Sequence, residues 1–241
     1  MTVGGWRAAR VVEASAATSH GRLLRVHVEG WPGSDAGQHV DVRLTAEDGY
    51  QAVRSYSLGS YGDGETIELA VDEVDDGEVS PYLVRDVRSG DELEVKGPLG
   101  GYFVWRPGES APVQLIAGGS GIVPLVSIAR ARTDVSSDAP FRLLYSVRSP
   151  DDALYRDEVR RLAADGAVEV TWVYTRQAPT DWTGRVGRLD DAAIEAAVWP
   201  VESAPLFYVC GPTGFVERVA DALVRLGHPA HRIRTERFGG G

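Results

Sequence analysis

The sequence predicts two consecutive domains, an antiparallel β-barrel over residues 1–108 and an α/β domain with a parallel sheet over residues 109–241. Three observations predict them. The first hundred or so residues alternate apolar and polar positions with period two, and turn-formers cut them into short runs. The remainder alternates continuous apolar strands with helical stretches. Between the two rhythms lies Arg106-Pro107-Gly108-Glu109-Ser110-Ala111-Pro112, a linker by composition.

Each element follows from its pattern. Leu24, Val26 and Val28 face one way, against Arg25, His27 and Glu29. Val40, Val42 and Leu44 repeat this against His39, Asp41 and Arg43; Ile67, Leu69 and Val71 continue it, then Leu93 and Val95. Trp31-Pro32-Gly33, Glu47-Asp48-Gly49 and Tyr61-Gly62-Asp63-Gly64 supply turns. Short strands with polar outer faces close most economically into a small barrel. In the second half the apolar strands are Val113 to Ala117, Phe141 to Val147, Val168 to Thr175 and Leu206 to Cys210. A helix from Gly214 to Leu226 carries the stripe Val216, Val219, Ala220 and Leu223.

Composition excludes several functions. With 241 residues, 43% hydrophobic and 25% charged, the chain is an ordinary globular protein with room for two domains. One cysteine, Cys210, allows no internal disulfide and no four-cysteine iron–sulfur cluster. His228 and His231 are separated by Pro229, so no metal site is predicted. A net charge of −10 argues against a nucleic-acid groove and suits a partner with a basic patch. The start, Met1 to Trp6, has neither the basic patch nor the apolar core of a signal peptide, and no apolar run is long enough for a bilayer. The expected address is the cytoplasm.

Four motifs carry chemistry. Arg54-Ser55-Tyr56-Ser57 offers a guanidinium fork for a phosphate, a flat ring face and a small donor. Taken alone, the tetrapeptide reads more simply as a barrel-edge aromatic beside a solvated arginine. Gly77-Glu78-Val79-Ser80 precedes Pro81, which makes Ser80 the expected N-cap of a short helix with Pro81 at its first position. The free amides there suit a diphosphate, or simply start a capped helix. Gly118-Gly119-Ser120-Gly121-Ile122-Val123-Pro124 follows the first strand of the α/β half, where a glycine turn lets backbone approach a pyrophosphate. Cys210-Gly211-Pro212 ends a strand at the edge where open α/β sheets bind ligands, with the chain turning after Cys210; a buried packing cysteine is the alternative.

In order, and with Gly97-Pro98-Leu99-Gly100 and the tail Thr235-Glu236-Arg237-Phe238, these motifs resemble the ferredoxin–NADP reductase superfamily over nearly the whole chain. The resemblance implies FAD on the barrel and NADPH, or NADH, on the α/β domain, in a stand-alone reductase without an iron–sulfur domain. It implies that Arg54 clamps the FAD diphosphate with help from Gly77, Val79 and Ser80, that Tyr56 lies on the isoalloxazine, and that Ser57 bonds near flavin N5. Gly119, Ser120, Gly121 and Ile122 would receive the dinucleotide, and Cys210, with Gly211 and Pro212, would border the nicotinamide. Ser57 and Cys210 are thus the catalytic candidates. Phe238 would cover a flavin face, although Gly239-Gly240-Gly241 follow it. Where many relatives carry basic residues this chain has Asp72-Glu73, which puts an acidic ferredoxin in doubt or is merely a solvated turn.

The expected activity is NAD(P)H-dependent flavoprotein reduction, with electrons passed to a ferredoxin, an oxygenase or a metal or molybdenum protein. A flavin or ferric-chelate reductase with a diffusible acceptor and a non-catalytic electron-transfer subunit are the alternatives. Ser146 and Arg148, which follow Tyr145, and Arg176, which follows Thr175, are placed to read a 2′-phosphate, which predicts a preference for NADPH. Asp151 and Asp152, the nearest carboxylates for ribose hydroxyls, come several residues late.

Overall fold

The computed structural model describes residues 5–135 and 137–239. The start Met1 to Gly4 and the final Gly240-Gly241, used above, lie outside the described residues. The chain divides into two compact units, Met1–Trp105 and Arg106–Gly241.

The first unit contains β1 (Arg7–Ala16), β2 (Gly21–His27), β3 (His39–Thr45), β4 (Gln51–Ser57), β5 (Thr66–Asp72), the six-residue helix α1 (Ser80–Arg85) and β6 (Glu92–Leu99). Its sheet runs β4-β3-β6-β1-β2-β5 with every pair antiparallel. A Leu58–Leu69 bridge and the Gly59 N–H on Glu68 O at 2.8 Å join the two outer strands, so the sheet curls into a barrel. The residues predicted to face inward do so: Leu24, Val26, Val40, Val42, Ile67, Leu69, Val71, Leu93 and Val95 are all buried in one core. Val79, Leu83 and Val87, within and around α1, join that core, so α1 covers one opening. Burial of a Val or Leu of this kind contributes about 1.5–3 kcal/mol.

β1 is absent from the alternation above. Ala9 and Val11 point into the core, but the register with β2 shifts between Val11 and Glu13. The bulge delays the next inward position to Ala14 and hides the period-two signal.

The second unit contains β7 (Val113–Gly118), α2 (Ile122–Asp134), β8 (Phe141–Val147), α3 (Arg156–Ala164), β9 (Glu169–Tyr174), α4 (Asp191–Ala197), β10 (Leu206–Pro212), α5 (Thr213–Arg225) and β11 (Ile233–Phe238). All pairs in the order β11-β10-β7-β8-β9 are parallel. The chain leaves β7 toward β8 and β9 and returns to the other side for β10 and β11. The strand order therefore reverses between β7 and β10. α4 and α5 pack on the sheet face carrying Ile116, Leu144, Phe207 and Val209. On α5 the buried residues are Val216, Val219, Ala222 and Leu223; Ala220, assigned to the stripe from sequence, is only partly buried.

The strand expected to end at Cys210 runs on to Pro212, because Gly211 and Pro212 stay in register with Arg237 and Phe238 of β11. The tail is thus a sheet strand, and the turn comes after Pro212. His228 is buried with its ring edge on Phe207 at 4.6 Å, and burial pushes its pKa down. Among the described residues no helix is long and apolar enough to cross a membrane.

Candidate functional site

On the barrel, antiparallel pairing sets Arg54 opposite Val42 and Tyr56 opposite Val40. Directly opposed residues share a sheet face, so Arg54 and Tyr56 project to the core side, where α1 and its preceding loop sit. Tyr56 is partly buried, and desolvation raises its phenol pKa far out of the physiological range. Arg54 is half-exposed: one guanidinium nitrogen donates to Val53 O at 2.8 Å and the other pairs with Glu78. The sequence places these two motifs 24 positions apart, and the fold brings them into contact. Ser57 lies at the end of β4 opposite His39, half-buried.

The loop before α1 departs from expectation. Ser80 is not the N-cap: Val79 holds that position without any side-chain cap, and Ser80 is the first helical residue. Its hydroxyl instead accepts the Val74 N–H at 3.1 Å, folding the loop on itself. Buried Val79 anchors the loop in the core, which leaves the Ser80 side chain facing Val74. Gly77 is required by this fold, since a Cβ there would lie 2.9 Å from both Ser80 Oγ and Val74 O. Glu78 is exposed, and besides Arg54 it receives the Tyr50 hydroxyl at 2.6 Å. Asp72 and Glu73 are not a free acidic turn either. Asp72 bonds the His20 ring at 2.6 Å, and Glu73 clamps Arg85 through two contacts.

On the parallel sheet, Gly118 ends β7, and Cys210 and Gly211 lie in the last residues of β10, beside the strand-order reversal. The glycines do different work. A Cβ on Gly121 would lie 2.1 Å from the Cys210 carbonyl oxygen, so this glycine lets α2 start directly against β10. On Gly118 or Gly211 it would meet the Phe215 ring at 2.8 Å. Gly119 differs: its φ is +55° and nothing lies within 4 Å of the added carbon. Of the four predicted dinucleotide residues, Gly119 and Ser120 are thus accessible, while Gly121 and Ile122 are buried. Phe215, which sequence reasoning passed over, is the ring that both glycine turns close upon; an aromatic two residues into α5 was its only signal.

Cys210 is buried, and desolvation, then the nearby Glu236, pushes its thiol pKa well up. It pairs in register with Ala117 on one side and Glu236 on the other. Phe238 lies opposite Pro212, and the Thr213 hydroxyl donates to Gly239 O at 3.1 Å, which ties down the tail. Ser146 lies beside Gly118 in the β7–β8 pair, nearly buried, with no partner for its hydroxyl among the described residues. Arg148 and Arg176 come together through the backbone, the Arg176 N–H bonding Arg148 O at 3.0 Å. Both side chains are exposed. Asp152 instead takes the Ser149 hydroxyl, and Asp151 lies 3.6 Å from Arg156.

A surface arginine on a small barrel, paired with Glu78, and a glycine-lined edge at a strand-order reversal are features suited to an FAD- and nicotinamide-nucleotide-binding protein. The oxidoreductase FAD-binding domain family matches residues 11–104, and the oxidoreductase NAD-binding domain family matches residues 115–221. Ferredoxin–NADP reductase B of Sorangium cellulosum is 34% identical over 85% of this chain and 85% of its own. A flavohemoprotein of Rhodopirellula baltica is 29% identical over 98% of this chain, which spans only 62% of that protein. Among solved structures, the flavohem-like FAD/NAD-binding domain of nitric oxide dioxygenase from Vibrio cholerae superposes with a TM-score of 0.86 at 25% identity, covering 97% of this chain and 99% of that one. The chain belongs to the ferredoxin–NADP reductase superfamily. The residues fit both cofactors. Arg54 is exposed and its contacts to Val53 O and Glu78 leave N–H groups that a diphosphate could take, and Ser146, nearly buried, lies beside the open Gly119 turn.

Proposed function

We propose that this protein oxidises NADPH in the cytoplasm and passes the electrons through FAD to a separate protein acceptor with a basic surface. Residues 1–108 serve as its flavin domain and 109–241 as its nucleotide domain. The observation that carries the reading is the strand-order reversal between β7 and β10, lined by Gly118, Gly119 and Gly211. The redox chemistry, hydride uptake from the nicotinamide and release of electrons singly or in pairs, belongs to the bound flavin.

The chain's own residues bind and orient. Arg54 holds the diphosphate and Tyr56 offers its ring to the flavin, with Ser57 as a donor near N5. Gly119 and Ser120 give backbone access to the dinucleotide. Cys210 borders the nicotinamide as a neutral thiol, since its raised pKa leaves no thiolate for covalent chemistry. Ser146, Arg148 and Arg176 read the 2′-phosphate.

Charge supports the acceptor's chemistry. Residues 1–105 hold 9 Lys and Arg against 18 Asp and Glu, whereas residues 106–241 hold 16 against 17. The flavin domain thus carries nearly all of the −10 net charge, and a basic acceptor would be steered toward it. The half-exposed, carboxylate-paired Arg54 favours a second reading, a flavin reductase with a small diffusible acceptor.

Anaerobic NADPH should bleach the FAD-loaded protein. Reduction of a basic protein acceptor should slow as salt rises, while reduction of ferricyanide should not slow. A folded protein that cannot be loaded with FAD overturns the proposal. Flavin turning over as a free substrate, without stoichiometric retention, decides for the second reading.

A further inference from the structure

Glu78 is not used by the reading above, yet it is the one side chain of its loop that meets Arg54. We propose that Glu78 competes with the FAD diphosphate for the Arg54 guanidinium and so keeps FAD binding weaker and more exchangeable than the arginine alone would make it. This rests on Arg54 being the diphosphate ligand.

Glu78 Oε2 takes one Arg54 nitrogen, and Oε1 takes the Tyr50 hydroxyl at 2.6 Å. Both carboxylate oxygens are thus held, and the Tyr50 hydroxyl, then Arg54, keeps the carboxyl below its usual pKa range. It remains an anion throughout the working pH range. Its backbone cannot easily withdraw. Val79, next in sequence, is fully buried, and Gly77, just before it, is packed against Ser80 Oγ and Val74 O. A diphosphate brought to the same guanidinium must share it with this carboxylate or displace it, and the two anions repel.

An exposed ion pair is weak, so the carboxylate tunes affinity without blocking it. Tyr50 makes the competitor more effective by restraining the carboxylate beside the arginine. A neutral glutamine at position 78 would keep the loop and the Tyr50 contact while removing the competing charge.

The test titrates FAD into the flavin-stripped full chain by calorimetry for wild type, Glu78→Gln, Arg54→Ala and the double variant. Arg54→Ala should weaken binding roughly tenfold or more, and Glu78→Gln should tighten it roughly two- to fivefold. In the Arg54→Ala background the same glutamine should change affinity by less than about twofold, because the contested group is gone. Unchanged or weaker binding by Glu78→Gln overturns the competition, as does an equal gain with and without Arg54. Unchanged binding by Arg54→Ala alone refutes the FAD assignment of Arg54 instead.

Discussion

The two candidate sites are built from opposite materials. The barrel corner is made of side chains: Arg54, Glu78 and Tyr50 meet near the surface through charge and hydroxyl contacts. The sheet edge is made of backbone and of missing side chains, with Gly118, Gly121 and Gly211 each closed on a neighbour within 3 Å. One site is exposed, adjustable and dominated by charge; the other is packed and, at Gly118, Gly121 and Gly211, intolerant of a single carbon. On the barrel, substitutions should change affinity and leave the fold intact. On the sheet edge, adding an atom should damage the fold before it affects a ligand.

The largest expected effect breaks the sheet edge. Gly121→Ala forces its Cβ against the Cys210 carbonyl, a backbone atom that cannot swing aside. We expect a loss on the order of 3 kcal/mol, or roughly 10 °C in Tm. Gly119→Ala makes no such contact but holds alanine at φ +55°, and should cost only about 1–2 kcal/mol. Equal melting losses would show that packing does not distinguish the two glycines.

An intermediate effect tests whether the same edge also carries a side-chain reader. Arg148→Ala or Arg176→Ala should each lower kcat/KM for NADPH roughly tenfold to a hundredfold while the value for NADH barely moves. Parallel losses for both nucleotides would remove the 2′-phosphate from the account. Neither substitution should shift Tm, because both side chains are exposed.

The smallest effect concerns Cys210. Cys210→Ala should slow flavin reduction by NADPH in stopped flow and leave FAD affinity unchanged; an unaltered rate would return the residue to packing alone. Its titration gives a second readout. The thiol pKa is raised in the folded protein, so its contribution is fully present below the unfolded value of about 8.5 and declines as pH rises past it. Between pH 8.5 and 9.5 wild-type stability should fall by up to about 1 kcal/mol more than that of Cys210→Ala. Identical pH slopes would mean that the thiol ionises as readily folded as unfolded.

Sequence reading reached the sheet edge better than the barrel corner, and the reason is chain distance. Gly118 to Gly121 and Cys210 to Pro212 are contiguous runs whose residue types already state that backbone comes close. Their division of labour was not legible, because whether a glycine is crowded or open depends on what packs over it: Phe215 over Gly118 and Gly211, the Cys210 carbonyl over Gly121, nothing over Gly119. On the barrel, Arg54 stood out, but its partner Glu78 did not, since a glutamate in a loop has no local mark of an ion pair 24 residues away. Ser80 was misplaced by one position for a related reason. Ser-Pro is a sound start signal for a helix, yet burial of Val79 moved the cap back and turned the serine hydroxyl toward Val74.

The sequence by itself determined the two-domain architecture, the alternation that closes the barrel, and the order of the motifs that mark the superfamily, because periodicity and turn chemistry act over a few neighbouring residues. Only the tertiary structure decided that β1 bulges, that the tail is the edge strand β11, and that Asp72 and Glu73 are held by His20 and Arg85. It alone decided that the Arg54 guanidinium is met by the carboxylate of Glu78. Each of these is a contact between segments distant in sequence, and such contacts are selected by packing and charge once the chain has closed on itself.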